Sequence, residues 1–279
     1  RDCLLSRGLG DVYKRQVVRS GTGKVNAGIC TQILVDDYGV DCVINTGIAG
    51  SLRNEINIGD IVISTDAVQH DMDVRIFGYP LGEIPQMGVL SFPADEHLAE
   101  VAEEVCKEVN PEIQVFRGRV VSGDQFISSK EVKNHLIEEF NGSCAEMEGA
   151  AIAQGAYLNK IPYVVLRAIS DKADDSATMD YPTFESEAAR HCVNLLQERK
   201  IKIHAKKHRI TKNLTNVFCF QIFPAVLYCG TSEEETSFCP ICQRKNPVRA
   251  NSAAASADAP QRKHRHMIMT GKFKNHQGE

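Results

Sequence analysis

No apolar run in this chain is long enough to cross a bilayer, which takes about 20 residues. The longest, Val217 to Tyr228, is interrupted by Gln221 and Pro224, so no membrane span is expected. Neither charge is in large surplus. The formal net charge of -4 over 279 residues removes the electrostatic case for nucleic acid or an anionic membrane as a partner. The ten cysteines show no framework spacing; Cys30, Cys42, Cys106, Cys144 and Cys192 fall in apparent strands and helices. They are expected as buried thiols of a cytoplasmic protein rather than as disulfides. Arg1 to Gln16 has no initiating Met, no signal-peptide apolar core and no periodicity that continues beyond Val17. It is expected to be an adaptor-like segment outside the fold.

Two phosphate-binding patterns also fail. Ser20-Gly21-Thr22-Gly23-Lys24 lacks the earlier Walker glycine, with Val18 in its place, and has Val25 where Ser or Thr should come after the lysine. The dinucleotide fingerprint fails because Asn26 occupies its third glycine position. A metal site is not supported. His70, Asp71 and Asp73 have no further ligand at helical or turn spacing, and Cys239-Pro-Ile-Cys242, with Cys219 and Cys229 upstream, supplies one close pair where a zinc ribbon uses two. No cofactor is expected.

What the chain does have is an alternation of strand and helix signals between Val17 and Lys200. Lys24 to Tyr38 reads as a helix entered through a glycine turn, with Ala27, Ile29, Ile33 and Leu34 as its apolar face. Asp41 to Asn45 reads as a short buried strand and Thr46 to Gly50 as a small-residue turn, close to which a ligand could meet backbone N–H groups. Ile58 to Ser64 is a turn into a strand, and Gln69 to Ser91 is a long loop carrying Phe77, Tyr79, Pro80, Ile84 and Pro85. Apolar residues on such a loop suggest a lid or a subunit contact. Glu96 to Val109 is an amphipathic scaffold helix, and Phe116 to Val121 a strand running into the polar loop Ser122 to Ile127.

Glu146 and Glu148 stand at the start of a helix of small residues, Gly149 to Ala156. As first-turn acids they either complement the helix dipole in solvent or belong to a site. Val164 to Asp171 is a buried strand that ends in Ser170-Asp171 and contains Arg167. An arginine in a buried strand calls for a partner, and a carboxylate at a strand end is either a helix cap or a group delivered to the sheet edge where α/β active sites sit. Lys172 to Thr178 reads as a polar, mobile loop and Tyr181 to Lys200 as helix. From Ile201 the periodicity dissolves, and 201–279 is expected as a low-order tail.

Five of these stretches, in this order, are the signatures of a known family. Ser20-Gly-Thr-Gly-Lys24, Asn45-Thr-Gly-Ile-Ala-Gly50, Val121-Ser-Gly-Asp-Gln-Phe-Ile127, Glu146-Met-Glu148 and Arg167-Ala-Ile-Ser-Asp171 resemble the 5'-methylthioadenosine/S-adenosylhomocysteine nucleosidases of the purine nucleoside phosphorylase superfamily. The resemblance spans about residues 17–200 and implies a single α/β domain, a twisted mixed sheet flanked by helices. The reaction implied is hydrolysis of the bond between adenine and a 5'-thio-substituted ribose. By the same resemblance Asp171 is the acid that protonates the leaving adenine at N7, Ser170 orients it, and Arg167 gives polar support near the ribose and the attacking water. Phe126 stacks on the base and the Ile127 backbone reads its edge. Glu148 takes the ribose hydroxyls, Met147 packs on the sugar, Ala49 and Gly50 belong to the substrate-binding wall, and Tyr181 covers the 5'-thio group. Val74, Phe77 and Pro85 of a second subunit complete the pocket, which implies a homodimer acting on a small-molecule nucleoside.

Two departures define the alternatives. The family's water-activating glutamate lies at the end of an amino-terminal strand, and nothing here matches it, so a nucleoside-binding relative without turnover is one alternative and an amino-terminally truncated nucleosidase the leading reading. A phosphorylase is the other alternative; Asn45 and Ile48 stand where such enzymes clamp phosphate, and neither substitutes for a guanidinium.

Overall fold

The computed structural model describes residues 14–178, 180, 183, 184, 191 and 215–221. Its organising element is β7, Tyr163–Asp171, every residue of which is buried. A nearly continuous run of apolar and small residues suits a strand covered on both faces. It pairs parallel with β2 (Cys42–Ser51) and antiparallel with β3 (Ile61–Gln69). Beyond β3 lie β5 (Val115–Ser122), parallel to it, then β6 (Cys144–Glu146), parallel to β5. β6 returns to β2 in antiparallel pairing, so the ladder β2, β7, β3, β5, β6 closes on itself. Closure leaves these strands without a free edge and gathers their ends in one place. The short β4, Phe92–Pro93, adds to β3.

Helices cover this mixed sheet. α2, Glu96–Val109, buries Leu98, Ala102 and Val105 against Ile61, Ile63 and Leu166, and the Asp95 carboxylate caps it by accepting from the Leu98 N–H at 2.9 Å. α3, Lys130–Phe140, buries Leu136 and Phe140, and α4, Gly149–Asn159, buries Ala150, Ile152, Ala153 and Ala156. α1, Lys24–Tyr38, ends at Gly39 in the left-handed conformation, as expected for a helix stopped by glycine.

Several expectations are corrected. Ile29, expected on the buried face of α1, is exposed, while Cys30 and Thr31 face inward beside Ala27 and Leu34. Thr31 can join that face because its hydroxyl is satisfied locally, donating to the Ala27 carbonyl at 2.9 Å. Thr46 to Gly50 is not a turn; it continues β2, with a register shift between Ala49 and Gly50. Small residues fit there because the strand is covered on both sides. The segments expected to lie outside the fold also contribute. β1, Lys14–Arg19, begins within the expected adaptor, and β8, Thr215–Gln221, arises from the expected low-order tail; β8 pairs parallel with both β1 and β2. The strand signal there is the short run of β-prone apolar residues Val-Phe-Cys-Phe between Asn216 and Gln221.

Candidate active site

Ends of β2, β6 and β7 and the loop after β5 converge on one pocket. Its wall takes Ile48, Ala49 and Gly50 from β2, Gln125 to Ile127 from the loop, and Ala145 to Glu148 from the β6–α4 junction; Arg167, Ser170 and Asp171 of β7 and then Ala173 complete it. Nine residues singled out in the sequence therefore share a single cavity: Asp171, Ser170, Arg167, Phe126, Ile127, Met147, Glu148, Ala49 and Gly50. Val74, Phe77 and Pro85 do not line it within one chain. Tyr181, Cys239 and Cys242 lie outside the described residues.

Asp171 is buried at the end of β7. Its Oδ2 accepts from the Ser170 hydroxyl at 2.8 Å and its Oδ1 from the Ala173 N–H at 2.8 Å. Burial pushes its carboxyl above the ordinary value, the two donors resist that, and Asp180 and Asp174 add to the rise. The group is thus biased toward the protonated acid. It does not cap a helix.

Glu146 does not face solvent either. Ser122 and the Arg167 guanidinium donate to it, as do the Glu148 N–H at 3.0 Å and the Gly149 N–H at 2.8 Å. Burial opposes its charge, but Arg167, Ser122 and the Gly149 N–H outweigh burial and hold it below the usual carboxylate range. Arg167 also donates to Asn45 Oδ1 at 2.5 Å and to the Leu166 carbonyl at 3.1 Å. This is the partner that the buried arginine required. The pair ties β7, β6, β2 and the start of α4 together beneath the pocket.

Glu148, also buried, stands at the N-cap position of α4, and its Oε1 accepts from the Gly23 N–H at 2.6 Å. Gly23 has φ +90°, and a β-carbon there would lie 3.0 Å from Asp124 Oδ1, so the turn entering α1 needs glycine at this point. Lys24 secures the same turn: its N–H donates to Asp124 at 2.8 Å and its Nζ to Asp71 at 2.6 Å. Asp73 is held by Arg75, so Asp71 and Asp73 are both engaged by cations. Among the described residues no group of His, Cys, Asp and Glu is arranged to hold a metal.

Phe126 is 46% exposed at the pocket rim, consistent with a ring available for a ligand face. Sequence reasoning missed Ala173 and Lys133. Lys133 falls on the buried face of α3 with Leu136 and Phe140, and a lysine at i in an i, i+3, i+7 apolar stripe is the available signal.

The family profile of the Phosphorylase superfamily matches residues 8–198. A 5'-methylthioadenosine/S-adenosylhomocysteine nucleosidase from Desulfotalea psychrophila is 42% identical over 184 residues, which cover 65% of this chain and 77% of that protein. The nucleosidase of that name from Neisseria meningitidis, solved with methylthio-immucillin-A, superposes with a TM-score of 0.61 at 38% identity, covering 63% of this chain and 76% of the other. The futalosine hydrolase of Helicobacter pylori superposes with a TM-score of 0.60 at 38% identity, covering 63% of this chain and 75% of the other.

Proposed function

The chain belongs to the phosphorylase superfamily, among its 5'-methylthioadenosine/S-adenosylhomocysteine nucleosidases, and from that premise we propose that it hydrolyses the N-glycosidic bond of these two nucleosides, releasing adenine and the 5-thioribose product. The observation that carries the reading is Asp171: a carboxyl biased toward its protonated form, braced by Ser170 and Ala173, in a pocket that also presents Phe126 and Glu148. Adenine leaves poorly as an anion. Asp171 gives its proton to N7, the C1'–N9 electron pair stays with the base, and the ribose carries the developing positive charge. Glu148 accepts from the ribose hydroxyls beside that charge. Water then adds its oxygen to C1' and loses a proton, completing the hydrolysis.

Water, not phosphate, is the nucleophile in this reading. Asn45 is engaged by Arg167, and Arg167 is neutralised by Glu146. The guanidinium that lines that wall, Arg167, thus has its charge already matched by Glu146, which disfavours an incoming dianion there. The same pairing leaves no base for the water among the described residues. The carboxylates lining the pocket are Glu146, Glu148 and Asp171, and Glu146 is committed to Arg167 and the start of α4.

The working form is a homodimer. Ile76 and Phe77 are 89% and 74% exposed on the long loop, apolar area that a second subunit can cover while Val74, Phe77 and Pro85 close the 5' side of its pocket. The compartment is the cytoplasm. Cys42, whose thiol burial pushes up to about 12, and the equally buried Cys144 fit a reducing environment. No helix among the described residues is long and apolar enough to cross a membrane. The test is adenine release from methylthioadenosine with and without inorganic phosphate. Equal rates and a free thioribose support the reading; a rate that tracks phosphate, with a ribose 1-phosphate product, overturns it.

A further inference from the structure

Lys133 is a buried ammonium, 6% exposed, on the inward face of α3 and outside the pocket wall. Its Nζ donates to the Lys172 carbonyl at 2.6 Å and pairs with Asp174 Oδ2 at 3.5 Å. Between those two acceptors sits Ala173, the residue whose N–H donates to Asp171. Ala173 has φ +51°, a left-handed conformation that is unfavourable for a residue with a β-carbon and persists only where its surroundings hold it. Its methyl packs in the same apolar cluster as Leu136 of α3, and on the other side β2 presents Gly50, whose missing β-carbon would lie 2.8 Å from that methyl. The turn is thus gripped by α3 through both apolar and charged contacts.

We propose that Lys133 is a positioning residue for Asp171, holding the 172–174 turn in its left-handed shape so that the Ala173 N–H stays aimed at Oδ1. The proposal rests on the reading of Asp171 as the leaving-group acid. Lys133 touches neither the pocket nor the substrate; it acts through the turn. Without it the turn relaxes, the N–H leaves Oδ1, and Asp174 loses its counter-charge next to the acid. Both changes disfavour ionised Asp171. The charged groups that bear on Asp171 are Asp180 and Asp174 downstream, and Lys133 of α3 pairs with the second of them; β2 faces the acid with uncharged Gly50, and Ser170 donates from β7.

Adenine is the probe, since its N7 takes the Asp171 proton without any need for turnover. Equilibrium dialysis of adenine against the full chain is measured as a function of pH for the wild type, Lys133→Met, Lys133→Gln and Asp171→Asn. Wild-type affinity falls as pH rises through the Asp171 midpoint. In Lys133→Met that midpoint moves to higher pH and the low-pH affinity drops about tenfold, the size expected for losing one aligned hydrogen bond to the acid. A merely structural role leaves the midpoint where it was, so an unmoved midpoint overturns the proposal even if affinity falls. Circular dichroism checks folding. If Lys133→Met does not give the wild-type spectrum, Lys133→Gln decides, because it removes the charge while keeping a polar donor on the same face of α3. An upward shift supports the proposal there and a wild-type midpoint overturns it. Asp171→Asn separates the two levels: a pH limb that survives it removes the acid reading and the proposal together, and a limb that disappears in Asp171→Asn but is unmoved by Lys133 substitution removes the proposal alone.

Discussion

A β-carbon at Gly50 would lie 2.7 Å from Asp171 Oδ1, closer than any real β-carbon sits to an oxygen. β2 therefore approaches the acid as nearly as a backbone can. Gly50→Ala is expected to push Asp171 and Ala173 from their places, costing about 1–3 kcal/mol in stability by overpacking. A displacement of the acid by about 1 Å should lower adenine release about 10²-fold. Urea denaturation and a steady-state rate check the two parts; a variant with wild-type rate would show that the approach has no bearing on Asp171.

The Arg167–Glu146 pair is buried on both sides. Arg167→Met strands a carboxylate in the interior and is expected to cost about 3–5 kcal/mol, whereas adding Glu146→Gln recovers part of that loss because the charge is gone. Urea denaturation of the single and double variants measures the coupling. Simple additivity would mean that the two side chains do not depend on each other.

The direction of Asp171's shift sets the sign of a pH effect. Its carboxyl is raised by burial, so the protonated form that the chemistry needs is present below the folded midpoint and lost as pH rises through it. The same group stabilises the fold least once it is ionised. Single-turnover adenine release should thus decline on the alkaline side, and Asp171→Asn should abolish it across the range while leaving the fold at least as stable at neutral pH. A rate that climbs through the same range would contradict the assignment.

Phe77 is largely exposed and does not line its own chain's pocket. Phe77→Asp should shift the chain from dimer toward monomer in analytical ultracentrifugation and weaken methylthioadenosine binding more than adenine binding, because only the former has a 5' group to be covered. Equal losses for both ligands would argue against a role in trans.

Much of this site is legible in the sequence, and the reason is physical. Small residues, a strand-end carboxylate and an aromatic in a glycine-containing loop are local signals, each readable within a few positions, and the pocket joins the stretches that carry them. What stays hidden depends on distant partners. Glu146 can pass for a solvated first-turn acid because its partner, Arg167, is on another strand, and Lys133 has no visible role because the carbonyl it caps lies 39 residues away. The Gly23 N–H on Glu148 spans 125 residues and has no local trace at all. Thr46 to Gly50 reads as a turn for a similar reason: its small residues are demanded by β7 and Ala173 packing against it, not by chain reversal.

The central claim is that Asp171 protonates a departing adenine. It is tested most directly by incubating excess protein with methylthioadenosine, without phosphate, and monitoring adenine by chromatography for the wild type and Asp171→Asn. Phosphate-independent release is predicted for the wild type and none above background for Asp171→Asn. Release that survives the substitution, or a wild type that binds the nucleoside without ever cleaving it, would contradict that claim.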